Sequence, residues 1–288
     1  MSAGMTGDAP GTGPATDIEI LTPPPPGARF THAVFDFDGT LSTLREGWER
    51  IMEPMMVRAI LGEKEGDRTL QEQVSAAVRD YIDRTTGVRT LVQMQGLADL
   101  VRRFRCVPES AILDAHAYKR VYNEALLAMV GPRLAKIRKG ELSPADCMVQ
   151  GALPLLEALH ARGLTLYLAS GTDQEDVERE AGVLGMRSLF GERIFGATGD
   201  ITLEAKRIVL ERIYAAIGDG AVLTFGDGPV EIRETHRRGG YTVGVASDEI
   251  RRRGLNVRKR RRLIEAGADL VIPDFCLAER LLSVLFPQ

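Results

Sequence analysis

The stretch His32-Ala33-Val34-Phe35-Asp36-Phe37-Asp38-Gly39-Thr40 runs from apolar residues into two acids and a glycine turn. Its apolar part, His32–Phe37, reads as a buried strand. Side chains alternate along a strand, so Asp36 and Asp38 project toward one place as the chain turns. Gly39 allows a sharp turn and the close approach of a ligand. Two carboxylates so placed suit a hard cation such as Mg2+, with one left to attack or to move protons. The same residues also suit an ordinary parallel-strand end with an Asp-Gly turn.

Farther along, strand-like and helix-like text alternates. Strands are expected at Leu164–Ala169, Arg193–Ala197, Val222–Phe225, Tyr241–Val245 and Asp269–Ile272. Helical patterns cover Leu153–Ala161, Gln174–Val183, Ala205–Ala216, Val230–Arg238, Val257–Ala266 and Leu277–Leu285. This alternation implies an α/β fold, a Rossmann-like parallel sheet with helices on both faces. Ligands of such sheets sit beyond the carboxyl ends of the strands.

Between Arg45 and Gly140 no strand pattern occurs. Helices are expected over Arg45–Leu61, interrupted at Pro54, and over Arg68–Arg84, Thr90–Phe104 and Glu109–Met129, the last opening after Pro108. At the front, scattered glycines and the run Pro23–Pro26 leave too little apolar surface to offset ordering. The expected organisation is a disordered tail over residues 1–29, a core from 30–44 and 146–288, and a helical cap inserted at 45–145.

Composition narrows the class. A chain of 288 residues with 44% hydrophobic and 27% charged residues is that of a soluble globular protein. A formal charge of −3 gives no reason to expect a nucleic-acid partner, and no apolar run reaches the length of a membrane span. Residues 1–29 lack the pattern of a secretory signal. Cys106, Cys147 and Cys276 are odd in number and far apart, which argues for a reducing compartment, the cytoplasm. His32, His116, His160 and His236 show no metal-ligand spacing.

The run Asp36-x-Asp38-Gly39-Thr40 after a strand resembles the first motif of the haloacid-dehalogenase-like hydrolase superfamily, and the other motifs of that family follow in order. Ser170-Gly171-Thr172 ends the next expected strand, where a hydroxyl and backbone N–H groups suit phosphoryl oxygens. Helix capping is the plainer role for such residues. Lys206 stands near the start of a later helix, with Arg207 as the competing residue. Asp227, in Gly226-Asp227-Gly228-Pro229-Val230-Glu231, follows the strand Val222–Phe225. It also suits an N-cap ahead of Pro229. The family usually has Asp at the second acidic place, so whether Glu231 meets a metal directly or through water stays open. The resemblance covers residues 30–288.

The resemblance implies a Mg2+-dependent phosphatase with Asp36 as nucleophile and metal ligand. Asp38 then acts as general acid and base, and its backbone carbonyl as a metal ligand. Asp227 completes the metal site, while Ser170, Gly171 and Lys206 hold the phosphoryl oxygens. The implied substrate is a small phosphorylated metabolite such as a sugar phosphate. The acid at Asp38 disfavours the dehalogenase branch, and the ion-pump sequence is absent. A phosphonate hydrolase needs a cap lysine with a lowered pKa, and nothing marks Lys64 or Lys119 as one. A phosphomutase uses the same motifs and remains an alternative, as does a non-catalytic phosphate-binding protein.

Substrate choice is expected in the cap. Thr85–Arg89 followed by Gln93 sets polar groups beside a turn, and Arg89 and Gln93 are the candidate substrate contacts. The segment also reads as an exposed helix start with Thr86 as cap. Trp48, Met52, Met55 and Met56 read as packing between cap helices. The basic runs Arg251–Arg253 and Arg258–Arg262 read as a solvated loop and helix, the first placed to steer an anion at the rim.

Overall fold

The computed structural model describes residues 17–86, 88–197, 205–217 and 222–287. Strand β1 (Glu19–Ile20) precedes β2 (His32–Phe35), whose Ala33, Val34 and Phe35 are buried. The chain continues through helices α1 (Glu49–Leu61), α2 (Arg68–Thr85), α3 (Thr90–Phe104), α4 (Ala115–Arg138) and α5 (Ala152–Ala161) to β3 (Thr165–Asp173). Then come α6 (Gln174–Val183), α7 (Arg187–Phe190), β4 (Ile194–Ala197), α8 (Ala205–Ile217) and β5 (Val222–Gly226). The last elements are α9 (Pro229–His236), β6 (Tyr241–Val245), α10 (Val257–Glu265), β7 (Leu270–Ile272) and α11 (Ala278–Leu285).

The seven strands form one sheet in the order β1-β7-β6-β5-β2-β3-β4. All neighbours are parallel except β1, which runs antiparallel to β7. The order reverses at β2, which lies between β5 and β3, and a crevice opens at the carboxyl end of such a strand. Phe35 is level with Leu168 and with Phe225, whose ring stacks on it at 4.5 Å. Asp36 therefore emerges in line with Ala169 and Gly226, and Ser170 and Asp227 follow one residue later. Three of the four motif segments leave adjacent strands side by side.

Helices α1–α4 form the inserted all-helical part. The two segments that join it to the core pair with each other: Thr43 N donates to Cys147 O, and Val149 N donates to Leu41 O. Pro54 lies inside α1 without breaking it; an exposed proline there forfeits only one backbone bond. Residues 45–48 are turns rather than the first turn of α1. The last inserted helix starts later than Pro108 suggests. That proline opens only a short 3-10 turn, Glu109–Ala111, and Asp114 caps α4 by accepting from Ala117 N at 2.7 Å.

One expectation is corrected at the N-terminus. Residues 1–16 lie outside the described residues, but 18–22 are tied to the sheet edge, and the mostly exposed 23–29 lead from there into β2, rather than forming a disordered tail. Ile18 is buried, β1 pairs with β7, and Tyr241 Oη donates to Thr22 O at 2.6 Å. The sheet supplies the apolar surface that this segment lacks by itself. Among the described residues, no helix is long and apolar enough to cross a membrane.

Candidate active site

At the carboxyl ends of β2, β3 and β5 an open cleft lies beneath the inserted helices. Asp36, Asp38, Ser170, Gly171, Lys206 and Asp227 line it from the core side, and Gln93 from the inserted side. The expected core-side residues are thus brought together, with Glu231 buried beside them.

Asp36 is almost fully buried. Its Oδ1 accepts from Phe37 N at 2.8 Å, and its Oδ2 lies 2.9 Å from Lys206 Nζ. Burial holds the Asp36 carboxyl well above the usual carboxylate range; Lys206 pulls it down, and Glu231 and Asp227 push it further up. The Lys206 ammonium is opposed by burial, but Asp36 and Glu231 more than offset this and raise it above its ordinary value. Arg207, the competing residue, faces away and pairs with Glu211 at 3.4 Å.

Glu231 uses both oxygens on protein groups. Oε1 accepts from Gly228 N at 2.8 Å, closing the first turn of α9, and Oε2 accepts from Lys206 at 2.8 Å. A Cβ at Gly226 would stand 2.3 Å from that Oε1, so only glycine lets the longer acid fold back onto the strand end. Asp227 does not cap α9; Gly228 occupies that position.

Asp38 faces the cleft. Its Oδ2 accepts from Thr172 Oγ1 at 2.7 Å, while its buried Oδ1 has no hydrogen-bond partner among the described residues. The nearest cation to that oxygen is Arg45, whose Nε is 3.7 Å away. Gly39, at φ +74°, turns the chain where a Cβ would stand 2.3 Å from Asp227 Oδ2. Ser170 and Thr172 are not helix caps. Strand β3 continues through them with a shift in register, Asp173 precedes α6, and Ser170 Oγ accepts from Thr172 N at 3.1 Å.

A divalent cation fits this donor set. Carboxylate oxygens of Asp36, Asp227 and Glu231 lie within 4.8 Å of one another, and an all-oxygen set suits Mg2+ rather than a soft metal.

The inserted helices supply a second wall, in which Trp48, Met52, Thr86, Val88, Thr90 and Tyr122 join Gln93. Trp48 and Met52 are therefore wall as well as packing. Both hydrogens of the Gln93 amide go to Thr85, at 3.1 Å to its carbonyl and 3.2 Å to its hydroxyl. Arg89 is buried at the start of α3, its Cα 4.0 Å from where a Cβ of Gly171 would stand; it does not line the cleft. Thr86 ends α2 rather than starting α3, its hydroxyl donating to Ile82 O, and Gly87 lies outside the described residues. Lys64 is exposed, and Lys119 pairs with Asp173 at 2.5 Å.

Three site residues escaped the sequence reading. Arg45 is half-buried, with Glu180 at 2.6 Å and Asp176 at 3.5 Å. Burial works against its guanidinium, but Asp38, Glu180 and Asp176 raise it above its ordinary value. Lys259 and Glu249 meet beside Asp227. The signal for Lys259 was its place in α10, on the buried side of a helix whose other basic residues are exposed (Arg258, Arg261) or half-buried (Arg260, Arg262). The basic runs are largely spent within the molecule: Arg251 on Asp248, Arg252 on the Ala145 and Met148 carbonyls, Arg260 on Glu19 and Arg262 on Asp83. Arg252 and Arg253 line a separate narrow crevice rather than the cleft.

The family model for haloacid dehalogenase-like hydrolases matches residues 30–234, and the chain belongs to that family. No curated protein matches it. Its fold is shared with a β-phosphoglucomutase from Clostridium difficile at a TM-score of 0.58 and 12% identity, covering 89% of this chain and 97% of that one. It is also similar to a predicted phosphatase from Clostridium acetobutylicum (TM-score 0.54, 14% identity, 89% and 100% covered). A predicted phosphoglycolate phosphatase from Haemophilus somnus 129PT gives a TM-score of 0.53 at 17% identity, with 88% and 97% covered.

Proposed function

We propose that the chain is a Mg2+-dependent phosphatase that hydrolyses a small phosphomonoester, such as a sugar phosphate, through an aspartyl-phosphate on Asp36. The observation that carries this reading is the pair of acids with different surroundings. Asp36 is buried among Lys206, Asp227 and Glu231, whereas Asp38 faces the cleft with one oxygen fixed by Thr172 and the other without a hydrogen-bond partner among the described residues, 3.7 Å from Arg45 Nε.

In this reading Asp36 attacks phosphorus, and its carboxylate oxygen displaces the alcohol. Asp38 gives its proton to the departing oxygen, then takes one from the water that hydrolyses the acyl phosphate. Thr172 keeps Asp38 turned into the cleft. Lys206 holds the Asp36 carboxylate and offsets the charge of the phosphoryl oxygens, with the Ser170 hydroxyl and the Gly171 backbone beside them. Mg2+ held by Asp36, Asp227 and the Asp38 carbonyl would neutralise the phosphate dianion, with Glu231 supporting the site through Lys206. Trp48, Met52, Tyr122 and the polar atoms of Thr86, Thr90 and Gln93 offer a partly apolar, partly hydroxyl-reading wall to the alcohol, behind which Arg89 is a supporting residue. The cap boundaries at 45 and 145 put these groups on the inserted part.

The test is phosphate release from a panel of small phosphomonoesters with and without Mg2+. Release by the wild type, lost in Asp36→Asn, is the expected result; activity that survives Asp36→Asn overturns the mechanism. An isomerised sugar phosphate without phosphate release would make the chain a phosphomutase instead.

A further inference from the structure

Lys259 lies in a basic run, yet its ammonium is buried against the acidic side of the cleft. Asn256 starts α10 by accepting from the backbone N of Arg258 and Lys259, which sets Lys259 in the first turn. Its Nζ is 2.7 Å from Asp227 Oδ2, 2.7 Å from Glu249 Oε1 and 3.2 Å from Ser247 Oγ. Ser247 in turn donates to Gly39 O at 2.5 Å, tying the group to the turn that follows Asp38. A Cβ at Gly39 would stand 2.8 Å from that Nζ, so the glycine also makes room for the lysine. Burial opposes the charge, but Asp227 and Glu249 outweigh it and hold the ammonium above its ordinary value.

The site around the cleft carries Asp36, Asp38, Asp227, Glu231 and Glu249 against Arg45, Lys206 and Lys259. Arg45 is committed to Glu180, Asp176 and Asp38. Lys206 serves Asp36 and Glu231. Among the described residues, Lys259 is the cation paired with Asp227. A fixed cation on a metal-binding carboxylate acts with opposite sign on the two ligands of a phosphatase. It repels Mg2+ and competes for the carboxylate oxygen, and it attracts the phosphoryl dianion.

We propose that Lys259 is a positioning residue and built-in counter-cation, clamped between Asp227 and Glu249, that lowers the affinity of the site for Mg2+ and raises its affinity for phosphate. The assignment rests on the phosphatase reading above. It makes the charge of one pair, the buried Lys259 and the half-buried Glu249, the setting that balances metal against substrate.

The experiment is calorimetric titration with Mg2+ alone, then with inorganic phosphate at saturating Mg2+. It uses wild type, Lys259→Met, Glu249→Gln and the double variant. Lys259→Met should bind Mg2+ about tenfold more tightly and phosphate about tenfold more weakly. Glu249→Gln should shift both the other way, and the double variant should return toward wild type. Weaker binding of both ligands in all three variants would show packing alone and overturn the proposal. Unchanged Mg2+ affinity in Lys259→Met, with wild-type phosphatase activity present, overturns the role of Lys259 and leaves the phosphatase reading intact. Reciprocal shifts in a protein that turns over no phosphomonoester support Lys259 and overturn the phosphatase reading.

Discussion

Lys206 Nζ lies 2.9 Å from Asp36 Oδ2, with both side chains buried. The same ammonium is 2.8 Å from Glu231, so one cation serves two buried carboxylates. Removing it leaves charges that water cannot reach. Lys206→Met should destabilise the fold by about 3–5 kcal/mol, read from urea denaturation. It should also lower kcat by about a hundredfold or more where folded protein is recovered. Arg207 cannot substitute, because it faces Glu211 on the outer side of α8.

Thr172 and Asp38 make the second test. The Thr172 hydroxyl is the hydrogen bond that fixes Asp38 Oδ2, and it comes from the irregular end of β3. Thr172→Val keeps shape and removes the donor. A bond to a carboxylate contributes about 1.5–3 kcal/mol, so kcat should fall about tenfold or more while KM stays near wild type. Thr172→Ser should restore most of the loss. Wild-type kcat in Thr172→Val, with the loss confined to Thr172→Ser, would show that the methyl group, not the hydroxyl, matters.

Metal binding should depend on pH with a definite sign. Burial and the neighbouring acids raise the Asp36 carboxyl, so the metal-free protein keeps a proton there to higher pH than an ordinary Asp. Mg2+ needs the ionised form and must expel that proton. Its affinity should therefore rise with pH until Asp36 is fully ionised. Calorimetry in two buffers of different ionisation enthalpy should show proton release, and release should disappear in Asp36→Asn. A pH-independent affinity would contradict this.

The fold and the core of the site were legible because each rests on a local pattern. Alternating apolar runs and helices specify the parallel sheet; Asp36 and Asp227 directly follow adjacent strands, and Ser170 lies near the carboxyl end of the strand beside Asp36. Lys206 was legible only through its order along the chain. Arg45, Glu249 and Lys259 were not, nor was the bond from Thr172 to Asp38, since these come from contacts between distant segments. Arg45 meets Glu180 across 135 residues, and Thr172 meets Asp38 across 134. Lys259 was masked by its own neighbourhood, where an inward lysine reads like the outward arginines beside it. Strand β1 was masked by composition, because its stability is borrowed from β7.

That edge strand gives the last prediction. Glu19 on β1 pairs with Arg260 on α10 at 2.5 Å, and Leu21 N and Thr22 N both donate to Asp269 O. The hydrogen bond from Arg260 lowers the Glu19 carboxyl below its ordinary value of 4.5. A depressed folded-state value means that the contribution is present above 4.5 and is lost as pH falls through the lower, folded value. Both partners are partly exposed, so screening holds the effect to within about 1 kcal/mol. Glu19→Gln should speed amide exchange at Leu21 and Thr22 up to about fivefold without changing exchange in β2 or β5. Acidifying the wild type from pH 5.5 to about 3.5 should produce the same local opening after correction for intrinsic exchange. The variant should show no such pH dependence. Exchange at Leu21 and Thr22 that is unaltered by either change would mean that the strand is held by its backbone bonds and Ile18 alone.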